Sequence, residues 1–426
     1  MLKTIRLILS FLFLISLTYP SSSQTQPWKK LQSPVNTTFR YLCFVDSLNG
    51  WAAGEAGTII RTTDGGDSWE VQNSTVQTFI MDIFFVDKNN GWALTLKDVF
   101  PFNSVILKTT SSGEEWSAED FPDSSKLIRT IFFFDTLNGF VGGSYIAYTS
   151  DGGNSWVQSH IDSNMVSSFP VYEFNFLNRQ FGYACGGRLD VAGVVWRTVD
   201  SGLNWTAQGV SADEVFDIFI FDPLNAIALS GDPEGLYPTA DIRTTDAGIT
   251  WSNDTLSFFG LSFAIDFRTY NEGWSASGYK FLLTTNRGKT WSEFETPDGT
   301  VVYDLQFSDS RTGYAVGENG VILKIDPTLV GVEDYVETPD GFILHQNYPN
   351  PFNPTTKIQF QISDRGFVDL KVFDILGNEV ATLVNEEKSA GEYEVEFNAK
   401  GLSNGIYFYQ LKTNKTVQTK KMVYLK

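Results

Sequence analysis

One phrase returns seven times between about residues 38 and 325, at intervals of roughly 40 to 48 residues, and few architectures accommodate such a period. Each copy opens with an aromatic strand and a turn: FVDSLNGW ending at Trp51, FVDKNNGW at Trp92, FFDTLNGF at Phe140 and FLNRQFGY at Tyr183. Weaker copies follow as IFDPLNAI at Ile227, FRTYNEGW at Trp274 and FSDSRTGY at Tyr314. A unit this short cannot bury its own apolar face, so neighbouring units must pack on one another.

Six of the units continue into a second phrase, TTDGGDSW at 62–69 and its counterparts at 109–116, 149–156, 198–205, 244–251 and 284–291. The form S/T-x-D-x-G-x-S/T-W is an Asp-box, and its chemistry is that of a hairpin turn. The carboxylate accepts backbone N–H groups, glycine supplies positive φ, and tryptophan packs back over the turn. Asp64, Asp151, Asp200 and Asp246 fill the acidic position, with Trp69, Trp156, Trp205 and Trp251 closing the same boxes. Ser111 and Asn286 stand where two further acids would be and can still accept hydrogen bonds. These are structural residues, and none is expected to be catalytic.

Four strands per unit and seven units predict a seven-bladed β-propeller at 25–329, the radial arrangement that protects many small sheet edges. The seventh unit runs into VILKIDPTLV and has no box. Near the N-terminus, PWKKLQSP is similar to the strand that follows each box elsewhere, so residues 28–33 are expected to complete the last blade.

Units of this form resemble the photosystem II assembly and stability factor propellers over about 300 residues. The resemblance implies a non-enzymatic propeller that binds a protein client. Asp-boxes also occur in sialidases and some endoglucanases. An extracellular glycoside hydrolase is therefore one alternative function, and an adhesin another.

The two ends of the chain predict export. MLKTIR followed by LILSFLFLISL and a small-residue exit reads as a signal peptide at 1–23, and no later apolar run is long enough to span a bilayer. An acidic stretch at 330–344 reads as a linker. The segment 345–426 changes in kind, with alternating apolar positions at Val368, Leu370 and Val372 and glycines at turns, which predicts a small Ig-like β-sandwich. Its NPFNP at 350–354, GNEV at 377–380 and GIY at 405–407 are similar to the C-terminal sorting domain of type IX secretion cargo. That similarity implies the secretion machinery as one partner and a secreted or outer cell surface location, reached through the periplasm.

Composition removes several functions. A net charge of -19 argues against nucleic acid as a partner. Two histidines far apart, and two cysteines, Cys43 and Cys185, with no metal-ligand spacing, give no material for a metal centre or a Ser-His-Asp triad. Neither metal nor cofactor is expected, and both cysteines are predicted to be buried.

Aligning the units places Asp82, Glu173, Asp217 and Asp304 at one equivalent position near the start of the innermost strand. Arg40, Arg129, Tyr172, Phe216 and Tyr303 lie just before it. Insertions at 97–104, 186–193 and 231–241 fall on the same side, so an unidentified extracellular protein or glycan is expected to bind around this channel mouth. In the glycosidase alternative, Asp217 and Asp304 would supply acid and base.

Overall fold

The computed structural model describes residues 26–100, 102–162, 165–326, 328–329, 343–362, 366–389, 391–413 and 417–426. The proposed signal peptide, and the linker up to residue 342, lie outside the described residues. The chain is all-β, and the repeats form seven sheets of a propeller, each built on four antiparallel strands, with a fifth added in blade four, and with the first of every unit innermost. Blade one shows the pattern, with Phe39–Phe44, Gly50–Gly54, Ile59–Thr62 and Glu70–Gln72 paired in order.

The repeated phrase is explained by what it joins. The aromatic that ends it, on the second strand of one blade, stacks on the phenylalanine that begins it in the next blade. Trp51 lies 3.5 Å from Phe85, Trp92 3.6 Å from Phe133, and Tyr314 3.8 Å from Phe44 across the junction of the seventh and first blades. The glycine before the aromatic lies beneath the phenylalanine of its own unit; a methyl on Gly91 would sit 2.5 Å from the ring of Phe85. Unit five tests this reading from within, because Ile220 replaces the ring there and Ala226 replaces the glycine. Where the ring is absent, the Cβ is accommodated.

The boxes form as their composition predicts. Asp64 Oδ1 accepts from the Ser68 N–H at 2.9 Å and from the Thr62 hydroxyl at 2.8 Å, while Gly66 N–H donates to Thr62 Oγ1. Asp151, Asp200 and Asp246 repeat the arrangement. Ser111 Oγ and Asn286 Oδ1 accept the equivalent N–H of Glu115 and Thr290. Trp69 and Trp205 are buried, whereas Trp156 and Trp251 are partly covered.

Closure uses the N-terminus, through a shorter strand than the sequence suggests. Trp28–Lys30 pairs antiparallel with Ile322–Ile325 as the outer strand of blade seven, and Leu31 N–H adds one bond to Ile322 O. Trp28 is 1% exposed and stacks on Phe281 at 4.7 Å. Blade four departs from the four-strand pattern. The connection leaving blade three runs along its outer edge, and His160–Ile161 pairs parallel with Asn204 and Trp205, covering backbone groups that would otherwise be bare.

At the C-terminus two sheets share one core. Ile343–Leu344, Thr355–Ile362 and Gly391–Asn398 form one, and Glu379–Lys388, Gly366–Phe373, Gly405–Thr413 and Val417–Tyr424 form the other. Ile358, Phe360, Leu370, Val372, Tyr409 and Met422 fill the space between them. Ile343 and Leu344, read from sequence as the end of the linker, pair with Gln361 and Phe360 and so belong to the sandwich. The NPFNP segment is a plug: Phe352 is buried against Tyr424 and exchanges backbone bonds with Val423 and Leu425.

Two stability predictions follow from these contacts. Trp28→Ala should lower the unfolding free energy of the full chain by about 3–5 kcal/mol in chemical denaturation, as for other buried tryptophans. Gly91→Ala should cost about 1–3 kcal/mol by driving a methyl into the Phe85 ring, whereas Ala226→Gly in unit five should cost no more than about 1 kcal/mol.

Candidate functional site

The innermost strands surround a central channel of about 1100 Å³. Alternation along each strand turns two positions per blade toward it. One layer contains Tyr41, Asp82, Thr130, Glu173, Asp217, Ala264 and Asp304, and the layer two residues further on contains Cys43, Asn175, Asp266 and Gln306 among aromatics. At the start of the innermost strand the pairing register shifts in blades one to five and seven, between Phe39 and Tyr41 in blade one and between Val302 and Asp304 in blade seven. Such a bulge re-aims the extra residue. Arg40, Tyr172, Phe216 and Tyr303 thereby line the mouth, beside Phe263 of blade six.

These rim residues form one continuous arc. Tyr172 stacks on Phe216 at 5.5 Å, Phe216 lies 5.8 Å from Phe263, and Phe263 meets Tyr303 edge-on at 5.3 Å. An arginine closes each end: the Arg129 guanidinium is 5.4 Å from the Tyr172 ring centre, and that of Arg40 is 3.5 Å from Tyr303. Tyr303 also donates to Glu318 Oε1 at 2.6 Å, which fixes its ring. The insertions after Leu96, Arg188 and Ser230 rise on this side, because the start of each innermost strand pairs with the end of the second. Phe100, Phe102, Leu236 and Tyr237 are exposed at their tips.

The acids do something the sequence did not suggest. Each innermost strand is a sheet edge with free N–H groups, and the carboxylates of the neighbouring blade accept them. Asp304 accepts from Leu42 N–H at 2.7 Å, Asp82 from Ile131 at 2.7 Å, Asp217 from Ile265 at 2.8 Å and Asp266 from Phe307 at 2.7 Å. Gln306 Oε1 accepts from Phe44, Cys43 Sγ from Phe85, and Asn175 donates to Ile218 O. Six of the seven blade junctions are fastened in this way. Asp82, Asp217 and Asp266 also accept the N–H of their own following residue, and so does Glu173. Asp82, Asp217, Asp266 and Asp304 are thus blade-to-blade clasps beneath the rim, while Glu173 accepts from its own strand. Asp266, Asn175 and Gln306, absent from the sequence-based candidates, share this role.

Burial dominates their titration. It raises Asp82 and Asp217 to about 6 and Asp266 to about 7 against the pull of their N–H donors, and it raises Glu173 and Asp304 well above the usual carboxylate range, with mutual repulsion adding to the effect. The box acids behave oppositely: hydrogen bonds from Ser68 and Ser155 hold Asp64 and Asp151 at about 2. Cys43 and Cys185 are buried thiols, and burial pushes Cys43 up to about 12. Among the described residues, no three His, Cys, Asp or Glu side chains come together as a metal site.

A carboxyl whose folded pKa is raised stabilises the fold in its protonated form, and that contribution is lost as pH rises through the folded value. The contribution of Asp82, Asp217 and Asp266 should therefore decline between about pH 4 and pH 7. Asp266→Asn, which leaves one N–H without its acceptor, should cost about 1–3 kcal/mol. Its penalty should be larger at pH 5 than at pH 8, because only the wild type loses stability on ionisation. Denaturation of both proteins at the two pH values checks this, and a penalty that grows with pH would contradict it.

Comparison with known proteins agrees with this architecture. Residues 346–425 match the family model of the secretion system C-terminal sorting domain, and residues 20–118 match that of the photosynthesis system II assembly factor YCF48. The chain is 24% identical over 315 residues to the chloroplastic photosystem II stability/assembly factor HCF136 of Oryza sativa subsp. japonica, covering 68% of this chain and 67% of the relative. A solved structure of YCF48 bound to D1 peptide superposes with a TM-score of 0.57 at 20% identity, over 71% of this chain and 97% of that one. The GH74 enzyme of Niastella koreensis gives a TM-score of 0.54 at 10% identity over 94% of this chain and 75% of its own, a likeness of fold alone. No described helix is long and apolar enough to cross a membrane. The chain is a β-propeller similar to the photosystem II assembly factors, joined to a type IX secretion C-terminal sorting domain that directs it to the cell surface or the medium.

Proposed function

We propose that the propeller is a non-enzymatic binding module that holds a segment of another extracellular protein across the channel mouth. The aromatic arc from Tyr172 to Tyr303, with an arginine at each end, carries this reading. Aromatic and arginine side chains supply a disproportionate share of binding energy at protein interfaces. The solved YCF48 propeller with a bound peptide lends the reading further support. A glycosidase would need free carboxylates, whereas Asp217 and Asp304 accept main-chain N–H groups of the adjacent blades.

The test is to probe arrays of 15-residue peptides and of glycans with the mature chain. Retained peptides are expected. Tyr172→Ala combined with Phe216→Ala should weaken their binding about 30-fold, roughly 2 kcal/mol, with the melting temperature little changed. Asp67→Asn and Glu114→Gln, exposed on the box face, should leave binding within about twofold, as expected of residues outside the interface. Binding that survives the rim substitutions and falls with those on the box face would overturn the assignment. Hydrolysis of a glycan, lost on Asp217→Asn, would establish the glycosidase instead.

A further inference from the structure

The turn that opens each unit is normally a solvent-exposed corner of the box face. Leu48 and Leu137 occupy the same place in the turns of units one and three and are 53% and 54% exposed. Their counterpart in unit five, Leu224, is 2% exposed. Local structure does not account for the difference, since all three N–H groups are bonded alike to the turn aspartate, Asp46, Asp135 or Asp222. What covers Leu224 is the sandwich. A Cβ on Gly377 would lie 3.6 Å from Leu224 Cδ2 and 2.6 Å from Ala247 Cβ.

Unit four departs from the repeat at the adjoining place. Asn49, Asn90 and Asn138 clasp the turn aspartates of their units, whereas Phe181 holds the equivalent position in unit four and is buried. Phe181, Leu224 and Ala247 form one apolar cluster with Leu177 and Trp251, and Phe373 and Leu376 of the sandwich pack against it. Polar contacts flank the cluster: Asn178 Nδ2 donates to Ile375 O at 3.5 Å, and Asn225 Nδ2 to Thr419 Oγ1 at 3.3 Å. The seated turn is preformed, because Asp374 Oδ1 accepts the N–H groups of Leu376 and Asn378.

We propose that the box face of blades four and five is a docking surface whose occupant is this chain's own sorting domain, seated through the turn at 374–378. Unit four carries an apolar residue where the other units have a polar one, unit five buries a leucine that is exposed in units one and three, and the sandwich fills the seat they form. Gly377, the first residue of the GNEV motif, is in the contact, so part of that motif is covered while the domain is docked. Cargo and address then travel as one body, and the channel mouth stays open on the opposite face.

The box itself supplies a surgical test. Arg287 holds the position of Ala247 in the box of blade six, with the same left-handed backbone, φ 60° against 61°. Ala247→Arg is therefore compatible with the box and incompatible with Gly377. Amide hydrogen exchange of the full chain should show peptides spanning 222–226 at least tenfold slower than those spanning 46–50 and 135–139. Ala247→Arg should raise 222–226 to the rate of those two and accelerate 373–378 at least tenfold, while the strands of blade five keep their protection. Should those strands lose protection, Leu376→Ser on the sandwich side replaces it as the test, with the same expected changes. Wild-type exchange at 222–226 as fast as at 46–50, or no change at either segment in a folded variant, would overturn the proposal. Neither outcome bears on ligand binding at the mouth, which lies on the other face.

Discussion

A propeller blade ends, at its inner side, in a strand with no further strand to pair with. Seven such edges face one channel here, and unpaired N–H groups buried there would each cost about 1–3 kcal/mol. The structure depends on how they are satisfied. Side chains of the preceding blade reach across: Asp304 to Leu42, Asp82 to Ile131, Asp217 to Ile265, Asp266 to Phe307. Because both partners of each clasp belong to different repeats, the clasps fix the angle between blades as well as the edge of each. The ring of carboxylates, which looks like a reactive floor, is then a consequence of radial geometry. In the layer above, bulges turn Arg40, Tyr172, Phe216 and Tyr303 out of the strand pattern.

Much of this was legible in the chain. The period, the boxes, the absence of a box in the seventh unit and the N-terminal PWKK segment specified the blades and their closure, since each is read against local chemistry repeated several times. The role of Asp82, Asp217 and Asp304 was not legible. Equivalence by alignment shows that residues line one ring, but not which backbone atoms of the next unit come within 3 Å of them. Asp266, Asn175 and Gln306 escaped for a related reason. They lie two residues further along, at a position held by phenylalanine in Phe84, Phe132 and Phe219, and only a comparison of polar against aromatic occupants there would have singled them out. The fifth strand of blade four, His160–Ile161, carries no repeat signature.

The same repeat that builds the frame also shows where it has been modified. Ile220 with Ala226 is a compensated exchange within unit five, because loss of the ring removes the need for glycine. Phe181 and the buried Leu224 are different: one is apolar where the repeat is polar, the other is a buried leucine where its counterparts are exposed, and Phe373 and Leu376 of the sandwich pack against the cluster that holds them. In a repeat protein such positions mark contact with something outside the repeat.

Closure by the N-terminal strand also has a temporal side. Lys29 and its ion-pair partner Asp326 are 297 residues apart, so the outer strand of blade seven has to wait for the far end of the propeller before it finds its place. Contacts this distant in the chain form late. Until blade seven exists, the flank of blade one that receives Tyr314 remains open, and a nascent chain stopped anywhere before residue 302 is a broken ring with two sticky flanks. Over that interval the flanks are exposed apolar surface of the kind that associates before folding is complete, and its length is set by the rate at which about 300 residues are delivered.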